Sequence, residues 1–412
     1  MAQINITLNQ DEILYLLSCD RDEAFRKIFE DAINSILLAE SREQLQAAPY
    51  ERSDQRTDSR NGFRERELKT RLGKLNLTVP RHRNQPFKTM VFENYARCEA
   101  ALVATMAEMV VNGVSTRKVS NVMEMLCDTH ISKSAVSDVC KILDKDVLKF
   151  QNRPIEGSYP LVIVDATYFK VRENGRGISK ALMIAFGITD AGRREILGFS
   201  AYSREAKNTW KDFLQRLKVR GLKDVMMITS DAHDGLVKAI TEVYPDVPWQ
   251  RCQAHFSRNI SDKVPKKYQS GIQSELTAMF NCETIEEARA SRDAIINEYQ
   301  DIAEDAMNIL DEGFDSAMTV MTLPVEIRKF FRTSNYIERL NEELKRRYDV
   351  IRVFPNTDSL IRLMGAVLME YHKSCQSKNA LFSKKRYKVL IGDETREQMK
   401  GVAEEMREAI SA

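Results

Sequence analysis

Hydrophobic positions recur at helical spacing over residues 10–46, with almost no glycine or proline between them, so the stretch reads as two amphipathic helices. Helical spacing returns over 99–145. Within it, 113–143 (GVSTRKVSNVMEMLCDTHISKSAVSDVCKIL) has the layout of a helix-turn-helix: Ser115 as a first N-cap, a helix through Leu126, a polar turn, and Ser132 capping a second helix. At Tyr159 the period changes to that of strands. The runs 159–171, 181–189 and 195–203 are separated by turn signals at 173–177 and 190–192, as in an antiparallel meander. A helix over 208–220 follows, and then 224–230, a short apolar run of the kind a buried strand shows. Residues 258–322 carry charged, helix-rich sequence with no strand signal and read as an all-helical insertion. A strong helix over 333–347, a break at Pro355 and closing helices at 356–374 and about 393–410 complete the chain.

The pattern predicts an α/β protein in which a mixed sheet flanked by helices is interrupted by an all-α insertion and preceded by helical regions. Its expected parts are an N-terminal helical region (1–48), an arm (49–95), a helix-turn-helix-like domain (96–150), a core in two pieces (155–257 and 323–375) around the insertion (258–322), and a helical tail (376–412). The length, 412 residues with 43% hydrophobic and 30% charged, is that of a globular chain of several domains and excludes wholesale disorder. No apolar run approaches the roughly 20 residues of a membrane span, and the start lacks the basic and apolar regions of a signal peptide. A cytoplasmic protein without a membrane partner is expected. The seven cysteines are scattered and form no Cys-x-x-Cys pair, as suits reduced thiols rather than a disulfide framework.

The net charge is only +2, but its distribution is uneven. Residues 50–88 hold eleven Lys or Arg against five acids, a local excess of +6. This is either an arm that follows phosphates, with Arg60, Arg64, Arg66, Lys69, Arg71, Arg81 and Arg83 as candidates, or a solvated basic face. In a DNA-binding helix-turn-helix the second helix enters the major groove, which makes Ser132, Lys133, Ser134 and Ser137 the candidates there; an ordinary helical hairpin has the same outline.

Three carboxylates carry the candidate chemistry. Asp165 lies inside an apolar strand, where an ionised carboxylate is costly unless a metal or hydrogen bonds compensate. Asp231 directly follows the run 224–230, at the carboxyl end of an expected strand, where α/β sheets place their sites. Glu338 and Glu342 share a helix face, with Glu343 beside them. Carboxylates from two strands and one helix suit Mg2+, and two such ions about 3.5–4 Å apart promote in-line phosphoryl transfer. Each acid also has a plain alternative as a turn former, an N-cap or a surface charge.

The segments VDATYFKVRENGRGISKALMIAFGI, ITSDAHDGL, WQRCQAHFSRNI and RTSNYIERLNEELKRRYDVIRVFPNTDSLIRLMGAVL resemble the Mutator-type transposases of bacterial insertion sequences. Upstream, RNGFRERELKTRLGKLNLTVPRHR, GVSTRKVSNVMEML and SKSAVSDV match that family's DNA-binding half. The resemblance runs in order over roughly 50–375. It implies a ribonuclease-H-like core and a catalytic and metal-binding triad of Asp165 in VDAT, Asp231 in TSDAH and Glu338 in NYIERLN, spaced by 66 and 107 residues.

The implied activity is that of a DNA transposase, which binds double-stranded DNA at terminal inverted repeats and at a target. It cleaves and transfers strands with two Mg2+ ions, Mn2+ serving as a substitute. Holding two ends together implies a homodimer or larger assembly, in the bacterial cytoplasm beside the nucleoid. The competing readings are a non-catalytic helix-turn-helix regulator derived from such an enzyme, and a structure-selective nuclease.

Other residues near these motifs are ambiguous. Lys345, Arg346 and Arg347 continue the Glu338 helix and are positioned to meet a phosphate backbone, or else to complement a helix end. His233 is either an orienting group for water or phosphate or a structural residue, and Trp210 and Trp249 either stack on an unpaired base or fill the core. The family also carries Cys252-x-x-His255. With about four ligands needed for zinc and no second pair at suitable spacing, sequence favours a packing role over a metal site.

Overall fold

The computed structural model describes residues 21–51, 54–70, 72–91, 100–127 and 131–411, and the chain divides after Ile142 into two compact units. The first begins with helix α1 (Arg21–Leu45); the helix expected before it lies outside the described residues. A hairpin of β1 (Arg60–Thr70) and β2 (Gly73–His82) follows. Leu75, Leu77 and Val79 alternate inward along β2 and bury with Leu68 against Ile33 and Leu37 of α1. The same helix covers the free edge of β2: Asn76 N–H donates to Glu30 Oε2 at 2.8 Å and Thr78 N–H to Asn34 Oδ1 at 2.8 Å.

Helices α2 (Ala100–Val111), α3 (Thr116–Cys127) and α4 (Lys133–Val139) form the rest of this unit around Leu102, Met106, Val119, Met123, Ile131 and Val136. Gly113, at φ +85°, closes α2 in the left-handed conformation that glycine adopts without strain, and Val114 N–H returns to Met109 O at 2.9 Å. Ser132 caps α4, its hydroxyl accepting from Ala135 N–H at 3.2 Å.

The second unit opens with α5 (Leu143–Asn152) and is built on a sheet of five strands: β3 (Leu161–Glu173), β4 (Arg176–Ile188), β5 (Arg194–Tyr202), β6 (Met227–Ser230) and β7 (Trp249–Arg251). Their order is β5-β4-β3-β6-β7, with the first three antiparallel and β6 and β7 parallel to β3. The apolar runs read from the sequence are these strands to within two residues at most boundaries. Strand β7 is three residues long, too short for a periodicity to register.

Helices α6 (Lys207–Val219) and α7 (Asp234–Val243) cover one face of the sheet, where Val162, Val164, Met183 and Ala185 meet Trp210, Leu214, Leu236 and Ile240. On the other face lie α13 (Asn335–Ile351) and α14 (Thr357–Gln376). There Phe186 stacks on Tyr336 with ring centroids 5.6 Å apart, and His372 Nδ1 accepts from Ile196 N–H at 3.3 Å. Arg362 of α14 grips Asp144 of α5 through two bonds of 2.6 and 2.9 Å.

Between β7 and α13 the chain forms α8 (Gln253–Ser261), α9 (Gln269–Phe280), α10 (Ile285–Tyr299), α11 (Glu304–Met318) and the short α12 (Val325–Phe331). Phe256, Ile272, Leu276, Ile295, Leu310 and Phe314 give α8–α11 a hydrophobic core of their own. After α14 come α15 (Lys384–Leu390) and α16 (Asp393–Ser411). Among the described residues no helix is long and apolar enough to cross a membrane.

Candidate catalytic site at the sheet edge

Strand alternation decides where Asp165 points. Val162 and Val164 belong to the core under α6 and α7, so Leu161, Ile163 and Asp165 occupy the opposite face, toward α13. The pairing of β3 with β6 runs Leu161↔Met227, Val162↔Ile228, Ile163↔Thr229. Continuing it by two residues sets Asp165 level with Asp231, on neighbouring strand paths about 4.8 Å apart. Asp231 begins the loop where β6 ends, its Oδ1 accepting from Ala232 N–H at 2.7 Å.

The third acid arrives from the far side of the insertion. Ser334 precedes α13, Glu338 sits in its first turn, and Asn341 lies three residues on along the same helix face. Asn341 Nδ2 donates to Asp165 Oδ2 at 2.7 Å, which ties the Glu338 helix directly to the β3 carboxylate. The other Asp165 oxygen accepts from Ala166 N–H at 2.9 Å. Burial nevertheless dominates: it pushes the Asp165 carboxyl up to about 6, with the negative charges of Asp231 and Glu205 acting in the same sense and His255 opposing them.

His255 is where the three acids meet electrically. It stands in the first turn of α8, with Nε2 3.3 Å from Glu338 Oε1, and its pKa is raised to about 9, first by its hydrogen bond to Cys252 and further by Asp231 and Glu338. Its positive charge thus lies among Asp165, Asp231 and Glu338. Cys252, the residue before α8, is fully buried; its Sγ is 3.0 Å from Ser334 Oγ and accepts from Ser334 N–H at 3.3 Å. Desolvation opposes the thiolate, but the bonds from His255 and Ser334 outweigh it and lower the thiol pKa.

Sequence reasoning named the three acids and passed over Asn341 and Ser334. Asn341 had one signal, its i+3 spacing from Glu338; Ser334 had its position just before a strong helix. Cys252-x-x-His255, for which a packing role is expected, also meets an acid: ligand atoms of Cys252, His255 and Glu338 all lie within 4.8 Å of one another. The missing partner was an acid 83 residues beyond His255, a distance that no spacing rule bridges.

Several candidates settle elsewhere. Trp210 is fully buried under the sheet, and Trp249, 8% exposed, donates from Nε1 to Ser230 Oγ at 2.8 Å, so neither ring offers a face to an unpaired base. Arg347 is buried on the apolar side of α13, with Nη1 2.7 Å from Glu343, and is not placed to follow a phosphate backbone; Lys345 and Arg346 are exposed, the latter also paired with Glu343. His233 occupies the N-cap position of α7 without a side-chain cap bond; its N–H donates to Asp231 O at 3.0 Å, and its Nδ1 is buried without a hydrogen-bond partner.

In the first unit, Arg60 donates to Ala47 O at 2.6 Å and Ala48 O at 3.0 Å, a structural clasp on the chain after α1. Arg64, Arg81 and Arg83 are exposed and Arg66 and Lys69 half-buried, while Arg71 lies outside the described residues. Ser132, Lys133 and Ser134 are exposed on the first turn of α4 and Ser137 is half-buried.

Comparison with known proteins decides the family. The family model described as "Transposase, Mutator family" matches residues 2–377. The chain belongs to the Mutator family of transposases. It is 42% identical over 376 residues to the transposase for insertion sequence element IS256 in transposon Tn4001 of Staphylococcus aureus, an alignment covering 90% of this chain and 96% of that one. It is likewise 42% identical to the ISRM5 transposase of Rhizobium meliloti (87% and 90% covered) and 35% identical to the IS1081 transposase of Mycobacterium tuberculosis (85% of each). The family match in this transposase takes in the basic hairpin, the capped α4, all three acids and the insertion between the second and third.

Proposed function

We propose that this DNA transposase binds the terminal inverted repeats of an insertion sequence and cuts and joins DNA strands at a site formed by Asp165, Asp231 and Glu338. The contact of Glu338 with His255 at 3.3 Å, and the influence of His255's charge on Asp165 and of Asp231 on His255, carry the reading, although among the described residues the three carboxylates do not themselves gather within 4.8 Å of one another. The order of the sheet, with three antiparallel strands and two added parallel to the central β3, supports a ribonuclease-H-like core.

The donor set fits Mg2+, since all three carboxylates are hard oxygen ligands and burial of Asp165 without a cation already costs its charged form. Held by Asp165, Asp231 and Glu338, two Mg2+ ions, or Mn2+ in their place, would supply activation of an attacking oxygen and stabilisation of a leaving one. The residues of the chain do the positioning. Asn341 fixes one Asp165 oxygen and Ala166 N–H the other, so the carboxylate holds one orientation. His255 offsets the accumulated negative charge, and Lys345 and Arg346 give DNA exposed cations farther along α13.

The deciding assay incubates the purified full chain with oligonucleotides carrying an element end and with a target plasmid. Joined products are expected with Mg2+ and none with chelator. Cleavage without joining identifies a nuclease, and binding without either reaction a regulator.

The exposed Arg64 and Arg81 of the β1–β2 hairpin and Arg83 just after it, together with Lys133 and Ser134 of α4 in a helix-turn-helix, serve in this reading to hold the ends, and two chains act together to pair them. Replacing the three arginines with alanine is expected to reduce the slope of log K against log salt by about one unit per lost phosphate contact. An unchanged slope in filter-binding titrations returns the hairpin to a solvated face.

A further inference from the structure

The acid site shares Glu338 with a second set of ligands of different chemistry. Cys252 Sγ, a His255 ring nitrogen and a Glu338 oxygen lie within 4.8 Å of one another, with Ser334 Oγ 3.0 Å from the sulfur. The three come from the start of α8 and the first turn of α13, segments joined by Gln253 N–H donating to Arg332 O at 3.0 Å. The His255–Glu338 separation of 3.3 Å matches that of two ligands on a tetrahedral ion with bonds of about 2.0–2.1 Å. The sulfur forms a closed floor, while the His255 and Glu338 side chains keep 18% and 26% of their surface exposed, so an ion has a way in. A sulfur–nitrogen–carboxylate set is a poor one for Mg2+ and a good one for zinc.

We propose that Cys252, His255 and Glu338 bind a thiophilic divalent ion of the Zn2+ class, and that this occupancy withdraws Glu338 from the all-oxygen set. The ion takes Cys252 as thiolate and His255 as neutral imidazole, the thiol proton and the imidazolium proton both leaving to solvent, with water or Ser334 Oγ completing four-coordination. Binding needs only the three ligands. Its consequence, arrest of strand transfer by Zn2+ in the presence of Mg2+, rests on the catalytic reading above.

Co2+ tests the site directly, because tetrahedral cobalt with a thiolate ligand absorbs in the near ultraviolet and intensely in the visible. Titrating the metal-free full-length chain with Co2+ is expected to give both features at one ion per chain, reversed by Zn2+. In Cys252→Ser the thiolate band disappears and Zn2+ affinity falls by about 100-fold or more. Glu338→Gln keeps the band and weakens affinity by about tenfold or more, which keeps the test decisive if the buried serine variant fails to fold. A thiolate band that persists in Cys252→Ser, or Co2+ spectra without one in the wild type, overturns the proposal, as does unchanged affinity in Glu338→Gln.

In the functional arm, Zn2+ suppresses Mg2+-supported strand transfer by the wild type, and the rate that Cys252→Ser retains is insensitive to the same free Zn2+. A wild type that binds Co2+ as expected but joins no strands with Mg2+ refutes the catalytic reading and leaves the metal site standing.

Discussion

Asparagine in place of Asp165 is expected to abolish strand cleavage and joining, by about 10³-fold or more, while making the metal-free protein more stable at pH 8. The two effects have one origin. On the catalytic reading proposed above, the carboxylate is a ligand for the ion that would stabilise the transition state, so its loss is worth several kcal/mol, or about three to four powers of ten in rate. In the absence of metal the same charge is a burden on the fold. Its folded pKa of about 6 lies above the 3.8 of the free group, so the folded state binds more protons than the unfolded between those values. Stability therefore falls as pH rises through that window and stays reduced above it, by roughly 3 kcal/mol.

Asparagine carries no such charge, and its single amide oxygen keeps one of the two bonds, from Asn341 Nδ2 or from Ala166 N–H. Thermal melts of both proteins at pH 4 and pH 8, beside the strand-transfer assay, check the pair of outcomes. A variant that keeps joining strands removes Asp165 from the site. A variant that is inactive and less stable at pH 8 shows the residue to be structural instead.

The second large effect concerns Trp210. Cutting it to alanine in the core under α6 is expected to cost about 3–5 kcal/mol, a drop of roughly 10 °C in the unfolding midpoint for a unit of this size. Phenylalanine at the same position is expected to cost less than about 2 kcal/mol, because the buried Trp210 Nε1 has no hydrogen-bond partner to lose and most of the apolar contact is kept. Calorimetry of the two variants, with DNA affinity measured in parallel, separates the roles: an alanine variant of normal stability and weakened DNA binding restores base stacking to this residue.

How far the sequence could be read follows from the range of the interactions that fix each part. The meander was legible because β3, β4 and β5 bury apolar residues continuously, and the two aspartates because an acid within or directly after such a run stands out. Strand β1 was hidden: Asn61 to Glu65 are exposed in succession with no buried residue alternating between them, and only its partner β2 alternates cleanly. On α13 a stricter use of the helical period separates Arg347 from Lys345, since Arg347 lies seven residues after Leu340 and three after Leu344, both buried. Asn341 and Ser334 carried only local signals that did not name their partners, and the grouping of Cys252 and His255 with Glu338 carried none. Each depends on α13 being laid across β3 and against the start of α8, a contact set by the packing of the whole sheet.

The place of the helical insertion in the chain has a consequence for synthesis on the ribosome. Both aspartates are translated 107 residues or more before Glu338, and the four helices between have their own core to settle. At about 5–20 residues per second, roughly 5–20 s separate the second acid from the third. On the catalytic reading proposed above, a nascent polypeptide that stops short of Glu338 carries two of the three acids and is expected to leave DNA uncut.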